Sequence, residues 1–594
     1  MQNIFFEYKS IRGGYMKNIP LYEVRKIKSI KEMVDGSADI FGERTAFLSK
    51  PKGGDKYEPV TFRQFKSDVD SLGTALIDLG LKGSRIAIIS ENRYEWAVSY
   101  MAVLNGTGIV VPLDKELPEN EIENLLVRAK TDAILFSGNL KAHIENISKR
   151  LDFLKYFINM DETGVDEHGS EITEETGFIN LKSLIEKGRK RVVDGCKDFT
   201  EAKIDTEAMS ILLFTSATTD KSKAVMLSHR NVSENLMAMS SMLNIVPDDI
   251  FLSVLPLHHT YENTCGFLCP HYRGAAVAYC EGLRHIQKNL QESKATVMLG
   301  VPLIFESIYK RIWDQAAKNP KMLKKLKLGL KLSNLAKKVG IDITKKLFAP
   351  IHNNFGGKIR VFISGAAGID PEVSKGFREL GILFVQGYGL TECSPIVALN
   401  RDVDFKDNAA GLPLPGLDVK IDQPGSDGVG EIVVSGPSVM MGYYEDPENT
   451  AKSMKDGWFY TGDLGFIDNA GFVHITGRKK NVIVTKNGKN IYPEEIETLL
   501  AKSPYIKECI VYGKDDPVYG DVVVSATIVP DIEAAASEFE GRKPTNEELH
   551  ELIRKEVKEV NKSLVIYKYV KDFELREEEF AKTTTKKIKR YVNN

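Results

Sequence analysis

The 594-residue chain is short of several things. It has no run of 18 apolar residues, so no membrane-spanning helix is expected. Its opening stretch, MQNIFFEYKSIRGGYMKN, has no apolar signal core, and Met16 stands as a second candidate start. The net charge of −2 gives no global electrostatic case for nucleic acid or an acidic membrane. Cysteine is sparse: Cys196, Cys265, Cys269, Cys280, Cys393 and Cys509. Cys265 and Cys269 are close in sequence, but no second Cys or His pair completes a zinc pattern. Buried free thiols in a reducing cytoplasm are the expectation. The pattern G-x-x-x-x-G-K-[ST] is missing, which argues against a Walker-type NTPase. No Ser-His-Asp or Cys-His constellation suggests a protein nucleophile.

What is present is an ordinary globular composition, 42% hydrophobic and 27% charged, in a chain too long for one core. Thr61 and Gln64 predict a capping box, followed by apolar Phe65, Val69, Leu72, Leu76 and Leu79 at helical spacing until Gly80. Strand 85–90, helix 95–104, strand 108–112, helix 119–129 and strand 133–136 then alternate. That order predicts an α/β class with a largely parallel sheet. Residues 161–177 read as a solvated loop. From Asp418 the texture changes to short strands with Gly/Pro turns, a small β subdomain ending the large domain. The chain restarts near Arg478-Lys479-Lys480, and a compact α/β unit follows. The expected domains are therefore 1–479, large, and 480–594, small.

Four stretches carry candidate chemistry. Ile211 to Phe214 reads as a buried strand leading into Thr215, Ser216, Ala217, Thr218, Thr219, Asp220, Lys221, Ser222 and Lys223. Hydroxyls and backbone N–H groups there can donate to phosphate oxygens, with lysine as a point charge; a polar surface turn is the plain alternative. Gly365-Ala366-Ala367 follows a strand ending at Ser364. Gly387-Tyr388-Gly389-Leu390-Thr391-Glu392 offers an aromatic face for a purine and a carboxylate for a hard cation. Tyr460-Thr461-Gly462-Asp463 offers a carboxylate of the kind that accepts ribose hydroxyls.

Together these stretches resemble the adenylate-forming superfamily, the acyl-CoA synthetases and their relatives, over roughly residues 30 to 590. The run from Asp456 to Glu497 is similar in particular to the fatty acyl-CoA synthetase signature. The resemblance implies a ligase that uses ATP, Mg²⁺ and coenzyme A to convert a fatty acid, through an acyl-adenylate, to acyl-CoA. It implies nucleotide contacts at Thr215, Ser216, Thr218, Thr219, Lys223, Gly365, Ala366, Ala367, Gly387, Tyr388, Gly389, Thr391, Asp463 and Arg478. It puts the metal on Thr215 and Glu392, and the acyl site beside His259 and Asn263. It further implies a hinge at Lys480, a coenzyme A side at Gly488, and a catalytic lysine, Lys587, in the tail Thr583 to Arg590. Family members usually carry Gly where this chain has Ala217 and Asp220, and nucleotide affinity is what those departures bear on.

Two rivals follow: a ligase that loads a carrier protein, and a weakened nucleotide-binding relative. Ten lysines lie between spaced leucines over 318–346. A surface helix with one core face is the ordinary reading; a peripheral helix on an anionic membrane is the other. Chain length of the acid and oligomeric state, a homodimer included, are left open by the sequence.

Overall fold

The structure is a computed structural model that describes residues 20–51, 54–161, 178–215, 222–485, 489–516, 521–582 and 588–590. Ser216, Thr218, Thr219, Gly488, Lys587 and the loop proposed at 161–177 (beyond Asp161) lie outside the described residues.

Short apolar runs become parallel strands buried on both faces, which is why they read as continuous rather than alternating. One eight-stranded sheet has the parallel order Met209–Thr215, Ile109–Leu113, Arg85–Ile89, Ala133–Phe136, Tyr156–Asn159, Phe178–Asn180. Lys223–Ser228 pairs antiparallel to Met209–Thr215, and Gly442–Tyr443 pairs antiparallel to Lys223–Ser228 at the edge. A second, nine-stranded sheet has the parallel centre Leu383–Gly389, Val361–Ser364, Val297–Gly300, Ile250–Ser253, Ala276–Tyr279, Thr45–Ser49. A continuous hydrophobic core joins residues from both sheets and the helices around them. The expected α/β class and its largely parallel sheets are therefore observed.

The texture change near Asp418 is a five-stranded antiparallel sheet. Strand Trp458–Ile467 in it is longer than the sequence suggests and carries Tyr460 to Asp463 within it. The smaller C-terminal part builds on strands Ile506–Asp516, Asp521–Pro530 and Val570–Leu575, with helices Pro493–Leu500 and Asn546–Lys562 packed against them around its own core. Thr545 and Glu548 form a full capping box at the second of these helices.

Some expectations need correction. At helix Phe62–Asp78 only half of the capping box forms. Thr61 accepts from the Gln64 N–H at 3.1 Å, but the Gln64 side chain donates to Asp68 at 2.9 Å instead. Its amide N–H groups find a charged acceptor one turn on, a stronger bond than a neutral one. Strand 481–485 shortens to Ile483–Val484, because Lys479–Asn481 forms a 3₁₀ turn. Helix 95–104 ends as the α-helix Tyr94–Ala102 and continues as a π-turn, Val103–Thr107. The six cysteines are free, four of them buried. No helix among the described residues is long and apolar enough to cross a membrane.

Candidate active site

The candidate residues gather at the carboxyl ends of the parallel strands, where open α/β sheets place their ligands. Thr215, His259, Gly365, Ala366, Gly387, Gly389 and Thr391 line one cavity of about 200 Å³. Thr215 ends one central strand, and its hydroxyl donates to the Lys223 carbonyl across the hairpin at 3.3 Å. Thr215 and Lys223, which flank the hydroxyl-rich run, are thus tied to each other. Ser222, at its far end, is gripped by Arg128 through both its hydroxyl and its carbonyl at 2.7 Å. The Arg128 guanidinium also lies 5.2 Å from the Phe214 ring centroid, so both ends of the loop are tied to one cation.

Strand Leu383–Gly389 carries the second signature to the same place. A Cβ on Gly389 would fall 2.1 Å from the Pro395 carbonyl oxygen, so only glycine permits the crossing of chains there. Ala366 has φ +73°, a left-handed conformation that costs a non-glycine residue about 1–2 kcal/mol. The Thr391 and Thr260 hydroxyls are 3.3 Å apart. Ala367 is exposed and is not among the cavity's lining residues.

Lys223 and Glu392 meet through a residue that the sequence did not single out. The Tyr443 hydroxyl donates to Glu392 at 2.9 Å, and the Lys223 ammonium lies 4.5 Å from the Tyr443 ring centroid. Burial and the Glu392 charge push the Tyr443 hydroxyl well above the usual tyrosine range. Tyr443 reaches this position only because Gly442–Tyr443 adds to the edge of the first sheet. No sequence signal ties residue 443 to residue 223.

Asp463 forms the third cluster. Arg478, its cross-strand neighbour, reaches one carboxylate oxygen at 2.7 Å, and the Tyr388 hydroxyl donates to the other at 2.6 Å. Burial and Asp463 raise the Tyr388 pKa well above the tyrosine range. Tyr388 packs against the main core. Lys480 lies apart, near Arg478 and Arg590; partial burial and these two cations hold it below the usual lysine range.

His259 lines the cavity beside His258, ring centroids 4.2 Å apart. Asn263 does not line it. Its side chain is buried and donates to the Leu257 carbonyl at 3.4 Å. Segment Tyr261–Leu268 is a π-helix, whose wider turn changes which side chains face inward. Glu262 faces the cavity instead. It is 0% exposed; burial pushes its carboxyl up to about 8, against the pull of Ser253 and the Leu255 and Val254 backbones. The rest of the wall, including Met239, Leu243, Ile245, Phe251 and Leu399, is apolar.

The AMP-binding enzyme model matches residues 34–444 of this sequence, and the AMP-binding enzyme C-terminal domain model matches residues 495–587. The chain belongs to the AMP-binding enzyme family. Among curated AMP-binding enzymes, fatty acyl-CoA synthetase B of Dictyostelium discoideum is 28% identical over 561 residues, 90% of this chain and 82% of that protein. Long-chain-fatty-acid–CoA ligase 1 of Cavia porcellus is 30% identical over 521 residues, 82% of this chain and 72% of that one. Among solved AMP-binding folds, the anthranilate CoA ligase AuaEII in complex with anthranoyl-AMP aligns with TM-score 0.75 and 18% identity, covering 97% of each chain. ATP-bound MatB from Rhodopseudomonas palustris aligns with TM-score 0.70 and 22% identity, covering 95% of this chain and 98% of that one. These likenesses establish the fold.

Proposed function

We propose that this AMP-binding enzyme is a long-chain fatty acid–CoA ligase. A fatty carboxylate attacks the α-phosphorus of ATP and pyrophosphate leaves. The coenzyme A thiol then displaces AMP from the acyl-adenylate. The observation that carries this reading is the cavity itself. Its lining combines hydroxyl-bearing Thr215 and Thr391 with apolar Met239, Leu243, Ile245 and Phe251. That mixture supports a site which takes an acyl group and an activating phosphate together. Adenylation is the chemical need: a carboxylate is a poor acyl donor until its oxygen becomes a good leaving group.

In this reading Tyr388 faces adenine, Asp463 with Arg478 serves the ribose, and Lys223 meets the β- and γ-phosphates with Ser216, Thr218 and Thr219. Glu392 and Thr215 fit a magnesium ion, since Mg²⁺ is usually held by one or two carboxylates plus substrate phosphates. The metal, when bound, neutralises developing phosphate charge. Lys587 does the same at the α-phosphate. We place the domain division at 479/480; the turn Lys479–Asn481, linking strand Val473–Arg478 to Ile483–Val484, supports a hinge at Lys480. Rotation there would exchange Lys587 for the Gly488 region at the thiol channel.

A peripheral membrane position is part of the proposal. Helix Pro320–Lys338 has two apolar faces, not one. Leu323, Leu326 and Leu330 pack inward, close to Phe348 and Leu380. Leu328, Leu332 and Leu335 are 58%, 49% and 63% exposed, among lysines with no acidic residue in the helix. Such a face suits an anionic bilayer.

The test is pyrophosphate release with palmitate, with acetate and with no acid, followed by a choice of coenzyme A or acyl carrier protein as acceptor. Palmitate-dependent release with transfer to coenzyme A is expected. ATP binding without release on any acid would favour the non-catalytic relative.

A further inference from the structure

Glu262 is the only carboxyl among the described residues lining the cavity, and nothing in the reading above uses it. Its two oxygens are treated differently. Oε1 accepts from the Ser253 hydroxyl at 2.6 Å. Ser253 is itself fixed by Asn92, which donates to its oxygen at 2.9 Å and to the Leu255 carbonyl at 2.7 Å, while accepting from the Leu257 N–H. Oε2 is buried and makes no hydrogen bond of good geometry among the described residues, although the Leu255 and Val254 backbones lie near enough to the carboxyl to favour its charged form. The carboxyl is given room to stand this way: a Cβ on Gly266 would lie 2.6 Å from Glu262 Oε1. A buried oxygen without a partner is costly, and costs of this kind collect at functional sites.

An aliphatic chain brings no polar atom to satisfy Oε2. The polar atoms that reach this cavity in the proposed reaction are those of the activated acyl group, the nucleotide and the incoming thiol. The nucleotide oxygens are anionic and favour the threonine hydroxyls and glycine N–H groups of the lining. A second cavity of about 710 Å³ meets the first at Leu255 and His258, and Asn92 lines it. A thiol entering from that side meets Asn92, which is linked through Ser253 to Glu262 in the wall of the first cavity.

We propose that Glu262 is the proton acceptor for the coenzyme A thiol in the second half-reaction. The S–H bond breaks as Oε2–H forms. The sulfur electron pair forms the bond to the acyl carbon, the bond from that carbon to the phosphate oxygen breaks, and AMP leaves with those electrons. Glu262 then releases the proton to solvent as the products depart. A carboxyl pushed up to about 8 suits this task, because a base works best near the operating pH and an ordinary thiol titrates at about 8.5. The groups that face it are the neighbouring Tyr261 and Cys265, Tyr279 and Cys280 from the next strand, and His258 and His259. The other buried groups are poor bases: His258 is held down to about 3 and Cys269 up to about 11, both by burial.

The inference rests on the ligase reading, and the experiment separates the two. Single-turnover pyrophosphate release and single-turnover acyl transfer from preformed acyl-adenylate are measured for the wild type, Glu262→Gln and His259→Ala. The expected result is that Glu262→Gln keeps the pyrophosphate burst within about twofold, which also reports that it folds. It slows acyl transfer about 100-fold or more, with KM for coenzyme A little changed, and the defect shrinks with a more acidic thiol acceptor. No pyrophosphate from the wild type would defeat the ligase reading. A Glu262→Gln enzyme that transfers at the wild-type rate, or loses both halves equally, would overturn the inference alone. So would a selective loss of transfer in His259→Ala only, or a wild-type preference for hydroxylated acids that Glu262→Gln abolishes while the transfer rate stays the same.

Discussion

Tyr388 and Asp463 are 75 positions apart in the chain and 2.6 Å apart in space, hydroxyl to carboxylate. With Arg478 at 2.7 Å on the other oxygen, the carboxylate is fixed in orientation before any nucleotide arrives. A fixed acceptor loses little freedom on meeting a ribose. A hydrogen bond to a charged group contributes about 1.5–3 kcal/mol, so Asp463→Ala should raise KM for ATP about 10- to 100-fold. It should also erase the preference for ATP over 2′-deoxy-ATP. Steady-state kinetics with both nucleotides decide this, and an unchanged preference would remove Asp463 from the ribose site.

Lys587 is bracketed by anchored neighbours. Lys582 pairs with Glu508 and Glu579, and Arg590 pairs with Glu497 and donates to the Val511 carbonyl at 3.0 Å. Lys587→Ala should therefore leave the small core intact. It should depress pyrophosphate release by about 10²- to 10³-fold, the range for removing one transition-state donor, while transfer from supplied acyl-adenylate persists. Equal loss in both half-reactions counts against the assignment.

Stability should fall with acid through three buried imidazoles. His271 sits among Phe62 and Phe65 at 4.7 and 5.0 Å between ring centroids, with neither ring nitrogen hydrogen-bonded among the described residues. Burial, with some help from Arg25, pushes it down to about 3; burial pushes His258 to about 3 and His229 to about 4. Between the ordinary 6.5 and these values the unfolded chain binds protons that the folded chain refuses, so the stability these imidazoles allow is lost as pH falls, and their contribution is flat well above 6.5. One unit is about 1.4 kcal/mol. His271→Phe should therefore lose about 2 kcal/mol less than the wild type between pH 7.5 and pH 5. Denaturant titrations at the two pH values check it, and equal losses would refute it.

The exposed face of helix Pro320–Lys338 gives a fourth test. A buried leucine is worth about 1.5–3 kcal/mol, so Leu332→Glu with Leu335→Glu should reduce flotation with anionic vesicles about tenfold or more. Activity on a detergent-dispersed acid should be unaffected. Flotation that is equal on neutral and anionic vesicles would end the membrane proposal.

Much of the parallel architecture was legible because it depends on local pattern. Apolar runs such as Ala133 to Phe136 and the helical repeat of Glu119 to Ala129 keep their boundaries in the folded chain. The signature from Gly387 to Glu392 and the hydroxyl loop were legible as chemistry, since residue type alone sets what can donate or accept. What a side chain faces was not legible. Asp463 looks like a turn residue, yet it lies mid-strand because Arg478 pairs across from it. Glu262 rather than Asn263 lines the cavity, in a segment that folds as a π-turn, which no short window of sequence reports.

The sequence by itself determined the family, the order of elements and the chemical kind of each contact, because these follow from periodicity, turn chemistry and motif. Only the tertiary structure decided that Tyr443 stands between Lys223 and Glu392, that Arg128 holds Ser222, and that the Glu262 carboxyl is buried in the cavity wall. Those relationships join segments brought together by strand order and sheet-edge pairing, and pairing across a sheet is set by the packing of the whole core.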